Sequence, residues 1–208
     1  MGRREQAEAS RAGLVEAARR CFVEHGYDDT TVAAILDRAG MARGALYHYF
    51  PGGKRELFAA VVAVVDDAFH RRRDALLALA SPTDRIRAGI QLFLELCTDD
   101  GFARIMLVDA PKVVSGQSGL GSSYALLLAQ LEEAQTAGEV HPLDPEVTAI
   151  ALYGAARRAG EFVIAAPDRR RAAAQAKRSL DLLLDGLRVA QDPPRSQAAH
   201  PDSSVAPG

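Results

Sequence analysis

Through most of this chain, apolar residues return every three or four positions, and the stretches that carry them are closed by glycine or proline. Nowhere do apolar and polar residues alternate with the period of two that a half-buried strand needs, and no long internal repeat interrupts the pattern. Alanine and leucine fill the long segments, which favours helix over strand. An all-α fold of about nine helices follows, with a three-helix head on a larger helical body.

The helices can be placed from their apolar stripes and stop signals. Residues 3–25 form an amphipathic helix with Leu14, Ala18, Cys21 and Phe22 on one side, ended by Gly26 as a left-handed cap. Thr30 or Thr31 caps a short second helix whose inner stripe is Val32, Ile35 and Ala39. Gly40 turns the chain into a third short helix from about Ala42 to Tyr49, stopped by "PGG" at 51–53. A long helix from Lys54 to about Leu79 carries apolar residues on more than one side, as a connector between two lobes would. Further helices are expected at 84–98, at 101–110 with Pro111 as its end, from near Ser122 to Gly138, at 145–166 behind an Asp144 cap, and from 168 to near Val189. The segment 113–123 reads as a flexible loop, and the Pro- and Ser-rich tail as disordered. The expected division is therefore 1–53, 54–190 and a tail at 191–208.

The stretch TTVAAILDRAGMARGALYHYF, from Thr30 to Phe50, is the informative one. Two short helices joined by a glycine turn make a helix-turn-helix, whose second helix can enter the major groove of DNA. Leu46 and Phe50, four apart, can point inward, which leaves Arg43, Ala45, Tyr47 and His48 outward. A guanidinium can grip a guanine edge with two hydrogen bonds, so Arg43 is the candidate base reader. Tyr47 and His48 can reach phosphate oxygens, Thr31 offers a hydroxyl at a helix start, and Gly44 permits close backbone approach. Lys54 sits at a helix N-terminus, where a cation opposes the helix dipole; an anion bound nearby would account for that placement. Two readings compete for Tyr47 and Tyr49: phosphate contacts, or half-buried aromatics closing a small core.

TTVAAILDRAGMARGALYHYFPGGKRELFAAVV resembles the DNA-binding region of the tetracycline-repressor (TetR) family. The Thr-Val opening, "AG" at the turn, Gly44, "LY" at 46–47, the aromatic Phe50, Lys54 and Leu57 carry the resemblance. It implies that Tyr47, Lys54 and Thr31 contact phosphates, and that Arg43 and Ala45 lie where bases are read, with Ala42 beside them on the DNA-binding surface. It further implies a homodimer joined by the last two helices and a small-molecule pocket in the body. Two departures stand out: Tyr49 occupies a position where histidine is frequent, and "PGGK" brings Lys54 one residue later than usual.

Within the body, candidate pocket residues are Phe93, Cys97, Phe102, Met106, Asp109, Tyr124, Tyr153, Arg157 and Glu161, apolar walls with a few polar groups. Arg157 and Glu161 equally fit a helix-surface ion pair, and Asp109 a helix cap. The dimer seam is expected along Ile150, Ala156 and Val163 of the penultimate helix and Leu180, Leu183, Leu184 and Leu187 of the last; intramolecular core is the competing reading.

Charge and composition limit the alternatives. Residues 1–55 hold nine Lys and Arg against seven Asp and Glu, while the remainder is acidic, so only the amino end suits phosphate. Both cysteines, Cys21 and Cys97, sit among apolar neighbours as buried thiols. There is no signal peptide and no apolar run long enough to span a bilayer, so a cytoplasmic protein is expected. His25, His48, His70, His141 and His200 are scattered, with no metal-ligand spacing, phosphate-cradling glycine loop or nucleophile elbow; no enzyme, metal or cofactor is expected. The expected function is a ligand-responsive regulator, a repressor that binds a palindromic double-stranded DNA operator as a homodimer and is released by a small apolar or amphipathic effector. The rival is a helical module that binds a small molecule or a protein without DNA function.

Overall fold

The computed structural model describes residues 2–114 and 120–189. Nine helices run through them: α1 (Arg3–Asp29), α2 (Val32–Ala39), α3 (Arg43–Tyr49), α4 (Gly53–Asp74), α5 (Pro82–Leu96), α6 (100–113), α7 (Leu120–Thr136), α8 (Pro145–Ala165) and α9 (Arg169–Asp185). A 3₁₀ turn at Ala75–Ala78 follows α4. Among the described residues the sole extended pairing is one antiparallel bridge between Val140 and Arg188. The expected tail at 191–208 and most of the expected loop at 113–123 lie outside the described residues.

Local chemistry sets the helix ends. The Thr31 hydroxyl oxygen accepts from the Ala34 N–H at 3.1 Å and starts α2. Gly40, with φ +64°, closes it in the left-handed region that glycine tolerates best, and this turn delivers α3. Ser81 caps α5, Asp144 caps α8 and Asp168 caps α9, each accepting from an N–H three residues on.

Several boundaries differ from expectation. Gly26, non-helical at φ +78°, interrupts α1 where its end was expected, and the chain then winds one further short turn to Asp29. Pro111 does not end α6 either. Residues Ala103–Asp109 form a π-helix, and Pro111 falls in the first turn of the α-helical segment Ala110–Val113 that follows, where its missing N–H removes no required bond. The last helix stops at Asp185 rather than near Val189, because the chain turns at Gly186 to pair Arg188 with Val140.

The head has a closed core. Leu14, Ala18, Cys21 and Phe22 of α1 meet Ile35 and Leu36 of α2, Leu46 and Phe50 of α3, and Leu57, Phe58 and Val61 of α4, all buried. The Phe58 ring stands edge-on to Phe22 and Tyr27, each centroid 5.0 Å away. This core therefore takes in the first two turns of α4, past the boundary expected at 53. In the body, α5 packs between α7, α8 and α9, with Leu94, Cys97, Val163, Ala173 and Leu180 in one cluster and Ile86, Leu131, Ala149, Leu152 and Leu184 in another. Burial pushes the Cys97 thiol up to about 12, so it stays protonated and inert.

Candidate DNA-facing surface and effector cavity

The exposed side of α3 follows from its inner side. Leu46 and Phe50 are buried against α1, so the helical period turns Arg43, Gly44, Tyr47 and His48 outward. Tyr47 is 51% exposed, a large ring left in solvent beside a core with room for none of it. Ala42 and Thr31 are exposed and Ala45 half-buried, so these seven residues of α3 and the α2 start border one surface. A side chain added at Gly44 would meet nothing within 4 Å, so packing inside this chain does not require glycine there. Thr31 retains its hydroxyl proton for an outside acceptor, because its cap bond uses only the oxygen. Tyr49 settles the other way: it is half-buried against the head core, with its ring 4.8 Å from that of His48.

Lys54 is placed differently from expectation. Its ammonium donates to the Tyr27 carbonyl at 2.9 Å and the Thr30 carbonyl at 3.0 Å, with Asp28 at 3.5 Å, and lies 4.3 Å from the Tyr27 ring centroid. The carbonyls that end α1 thus account for a cation at the start of α4 without any bound anion.

In the body, α4 to α8 enclose a cavity of about 100 Å³. Of the residues expected to line it, Phe93, Phe102, Met106, Tyr153 and Arg157 do so. Burial pushes the Tyr153 hydroxyl up, against the opposing effect of Arg157, so it is a neutral hydrogen-bonding group. The other four do not reach the cavity wall. Cys97 packs behind Phe93 in the α8–α9 cluster. Tyr124 stands edge-on to Tyr153, 5.7 Å away. Glu161 points outward, between Arg157 at 3.8 Å and Arg158 at 2.6 Å.

Asp109 faces the opposite way, toward the head. Its carboxylate accepts from the Tyr27 N–H at 3.0 Å and from Arg104 Nε at 3.3 Å. Arg104 Nη2 in turn donates to the His25 carbonyl at 3.3 Å. The Arg104 guanidinium fills the space above Gly26, where a Cβ would lie 1.7 Å from Nη2, so any larger residue there would displace this contact, and the positive φ favours glycine. This latch sits on the π-helical turn whose other side, Met106 and Leu107, lines the cavity.

Sequence reasoning missed three cavity residues on α4, Asp66, Phe69 and Arg73, and also Gln130 on α7. The apolar residues all round α4 gave a signal for the first group. A lone glutamine in a leucine-rich helix gave one for the last.

The expected seam needs correction. Ala156, Val163, Leu180 and Leu184 are buried within the protomer, and Leu187 is half-buried. They belong to the intramolecular reading, because α8 and α9 turn those stripes toward α5. Ile150 and Leu183 are exposed as expected, beside Phe162 at 58% and Leu182 at 72%, which were not foreseen. A groove lined by Ala155, Ala159, Ala165 and Ala176 runs along the same face.

Comparison with known proteins matches both parts of the chain. Residues 14–61 match the bacterial regulatory proteins of the tetR family, and residues 83–187 match the tetracyclin repressor-like C-terminal domain. The transcriptional regulator TtgR of Pseudomonas putida is 34% identical over 109 residues, 49% of this chain and 50% of that protein. The transcriptional repressor AcnR of Corynebacterium efficiens is 48% identical over 52 residues, 25% of this chain and 27% of that one. The chain thus spans between a quarter and a half of the length of these curated relatives. Among solved structures, a TetR-family transcriptional regulator from Pectobacterium atrosepticum superposes with a TM-score of 0.77 at 30% identity, covering 92% of this chain and all of that one. From the helix-turn-helix through the body, this chain belongs to the tetracycline-repressor family of bacterial regulatory proteins.

Proposed function

We propose that the protein is a ligand-responsive transcriptional regulator that binds a palindromic operator as a homodimer, most simply as a repressor working in the cytoplasm. The observation that carries the DNA reading is the outward placement of Arg43, Tyr47 and His48 over buried Leu46 and Phe50. Arg43 reads a base edge, Tyr47 and Thr31 hold phosphates, and Gly44 and Ala45 let the helix sit close in the groove. Lys54 fixes the end of α1 against α4 and adds only its field to the phosphate surface. Among the described residues no group of three His, Cys, Asp or Glu could hold a metal, and no helix is long and apolar enough to cross a membrane.

One short helix reads too few base pairs. Two copies related by a twofold axis place their α3 helices about 34–36 Å apart, on successive turns of the groove. The exposed apolar face of α8 and α9 supports that pairing, since a monomer rarely leaves such a patch in water. The cavity supports an effector role. Its wall on α4 continues into the head core, and its wall on α6 continues into the Asp109–Arg104 latch on α1. A molecule that fits one arrangement of these walls better than another shifts the heads, and a coupling of about 1–3 kcal/mol changes operator affinity roughly 5- to 150-fold.

The cavity alone fits a binding module that ignores DNA, so the decisive experiment is a gel shift with DNA from upstream of the protein's own gene. Specific retardation is expected. Arg43→Ala is expected to cost about 1–3 kcal/mol and relax preference at one base position, whereas Tyr47→Phe weakens binding to all sequences alike. Equal binding by wild type and both variants removes these residues from the interface.

A further inference from the structure

Every charged side chain that lines the cavity already has a partner. Asp66 lies 3.7 Å from His70. Arg73 is held by Asp74 and reaches Ser123, and Arg157 lies against Glu161. Arg85 forms a two-point ion pair with Glu133, both contacts at 2.8 Å, and donates to the Leu79 and Ala80 carbonyls. Gln130 is the exception. It is 8% exposed, lines the cavity, and makes no side-chain hydrogen bond among the described residues. Among the described residues no sealed side-chain nitrogen or oxygen lacks a partner, so the Gln130 amide is open to the cavity and can meet whatever enters it.

We propose that Gln130 is the head-group receptor of the cavity, and that its ligand is an elongated apolar molecule ending in one uncharged hydrogen-bonding group: a hydroxyl, carbonyl or amide. The proposal rests on the reading of the cavity as an effector site. The amide offers both donors and an acceptor, so it can pair with any of these groups. The charge at this end argues for a neutral head. Glu133, one turn beyond Gln130, neutralises Arg85, and carbonyls take two of its three remaining donors. No cation there is unpaired to meet a carboxylate, and no acid is unpaired to meet an ammonium. The shape argues for an elongated body. Cavity residues on α5 run from Arg85 and Ile86 to Phe93, which at 1.5 Å per residue is about 12 Å of wall. Apolar side chains (Ile90, Phe93, Phe102, Met106, Leu127) cover the stretch beyond Gln130.

The test uses the full-length protein and four probes with the same chain: decane, decanol, decanoate and decyltrimethylammonium. Binding is read by calorimetry or by the shift in melting temperature. Wild type is expected to bind decanol more tightly than the other three. Gln130→Leu is expected to bind decanol about fivefold to tenfold more weakly and to leave decane unchanged. If none of the probes binds wild type, the effector-cavity reading falls and this proposal with it. If they bind but decanoate or the ammonium outranks decanol, or Gln130→Leu keeps wild-type affinity for decanol, the cavity reading stands and the head-group assignment is overturned. The ranking on wild type decides the question even if the variant fails to fold.

Discussion

Head and body bury their apolar residues to different ends. The head packs its core around Phe22, Phe58, Leu46 and Phe50, and leaves large polar side chains in solvent. The body leaves its core open around a cavity, turns an amide toward it, and turns large apolar side chains outward on α8 and α9. A tight core holds α3 rigid, so the residues on its outer side are presented in one geometry. A loose core permits two arrangements of nearly equal energy, which a switch needs. The contrast singles out one misplaced-looking residue in each part for testing: exposed Tyr47 in the head and buried Gln130 in the body.

The contrast can be broken first at the aromatic rings. Phe58→Ala should destabilise the head by about 3–5 kcal/mol, while Phe69→Ala, beside an existing cavity, should fall at or below the bottom of that range, because its ring has fewer neighbours to lose. Denaturant melts of the two variants compare them directly, and equal costs would mean the two cores are packed alike. Next comes the outer apolar face. Leu182→Glu should cost the dimer about 2 kcal/mol or more and shift sedimentation toward the monomer, with the melt of the protomer little changed.

The latch between the parts is weaker. Asp109→Ala leaves the Tyr27 N–H without its acceptor and should cost about 1–3 kcal/mol in a thermal melt. It should also blunt the response of operator binding to a cavity ligand while leaving ligand affinity intact. The smallest effect belongs to the surface of α1. Glu16 is held down to about 2 by its hydrogen bond from Arg19, with Arg20 adding to it. A depressed carboxyl contributes stability above its ordinary value of 4.5 and loses it as pH falls toward 2. Glu16→Gln should therefore flatten the pH dependence of stability between those values, by a small amount because the pair is largely solvated. An NMR titration of the Glu16 carboxyl checks the same point.

Much of this was legible in the chain. The inner stripes of α1 and α2, the pair Leu46 and Phe50, and the caps at Thr31 and Asp144 are local facts, fixed within a turn or two by side-chain spacing and cap chemistry. What stayed hidden depended on a neighbour far along the chain. Lys54 read as an anion contact, and the fold adds the Tyr27 and Thr30 carbonyls as partners of its ammonium. Pro111 read as a helix end until the π-turn before it removed the bond that proline breaks. Leu180 and Leu183 share a leucine-rich run, and nothing in that run says which of them α5 will cover.

The sequence by itself determined the helices, their order and the outward side of α3, because helical periodicity and capping act over a few residues. Tertiary structure alone decided which apolar stripe became core and which became surface, that α4 would wall the cavity, and that Gln130 would face it. Those outcomes depend on how helices distant in sequence pack, and packing is set by the shapes of both faces at once.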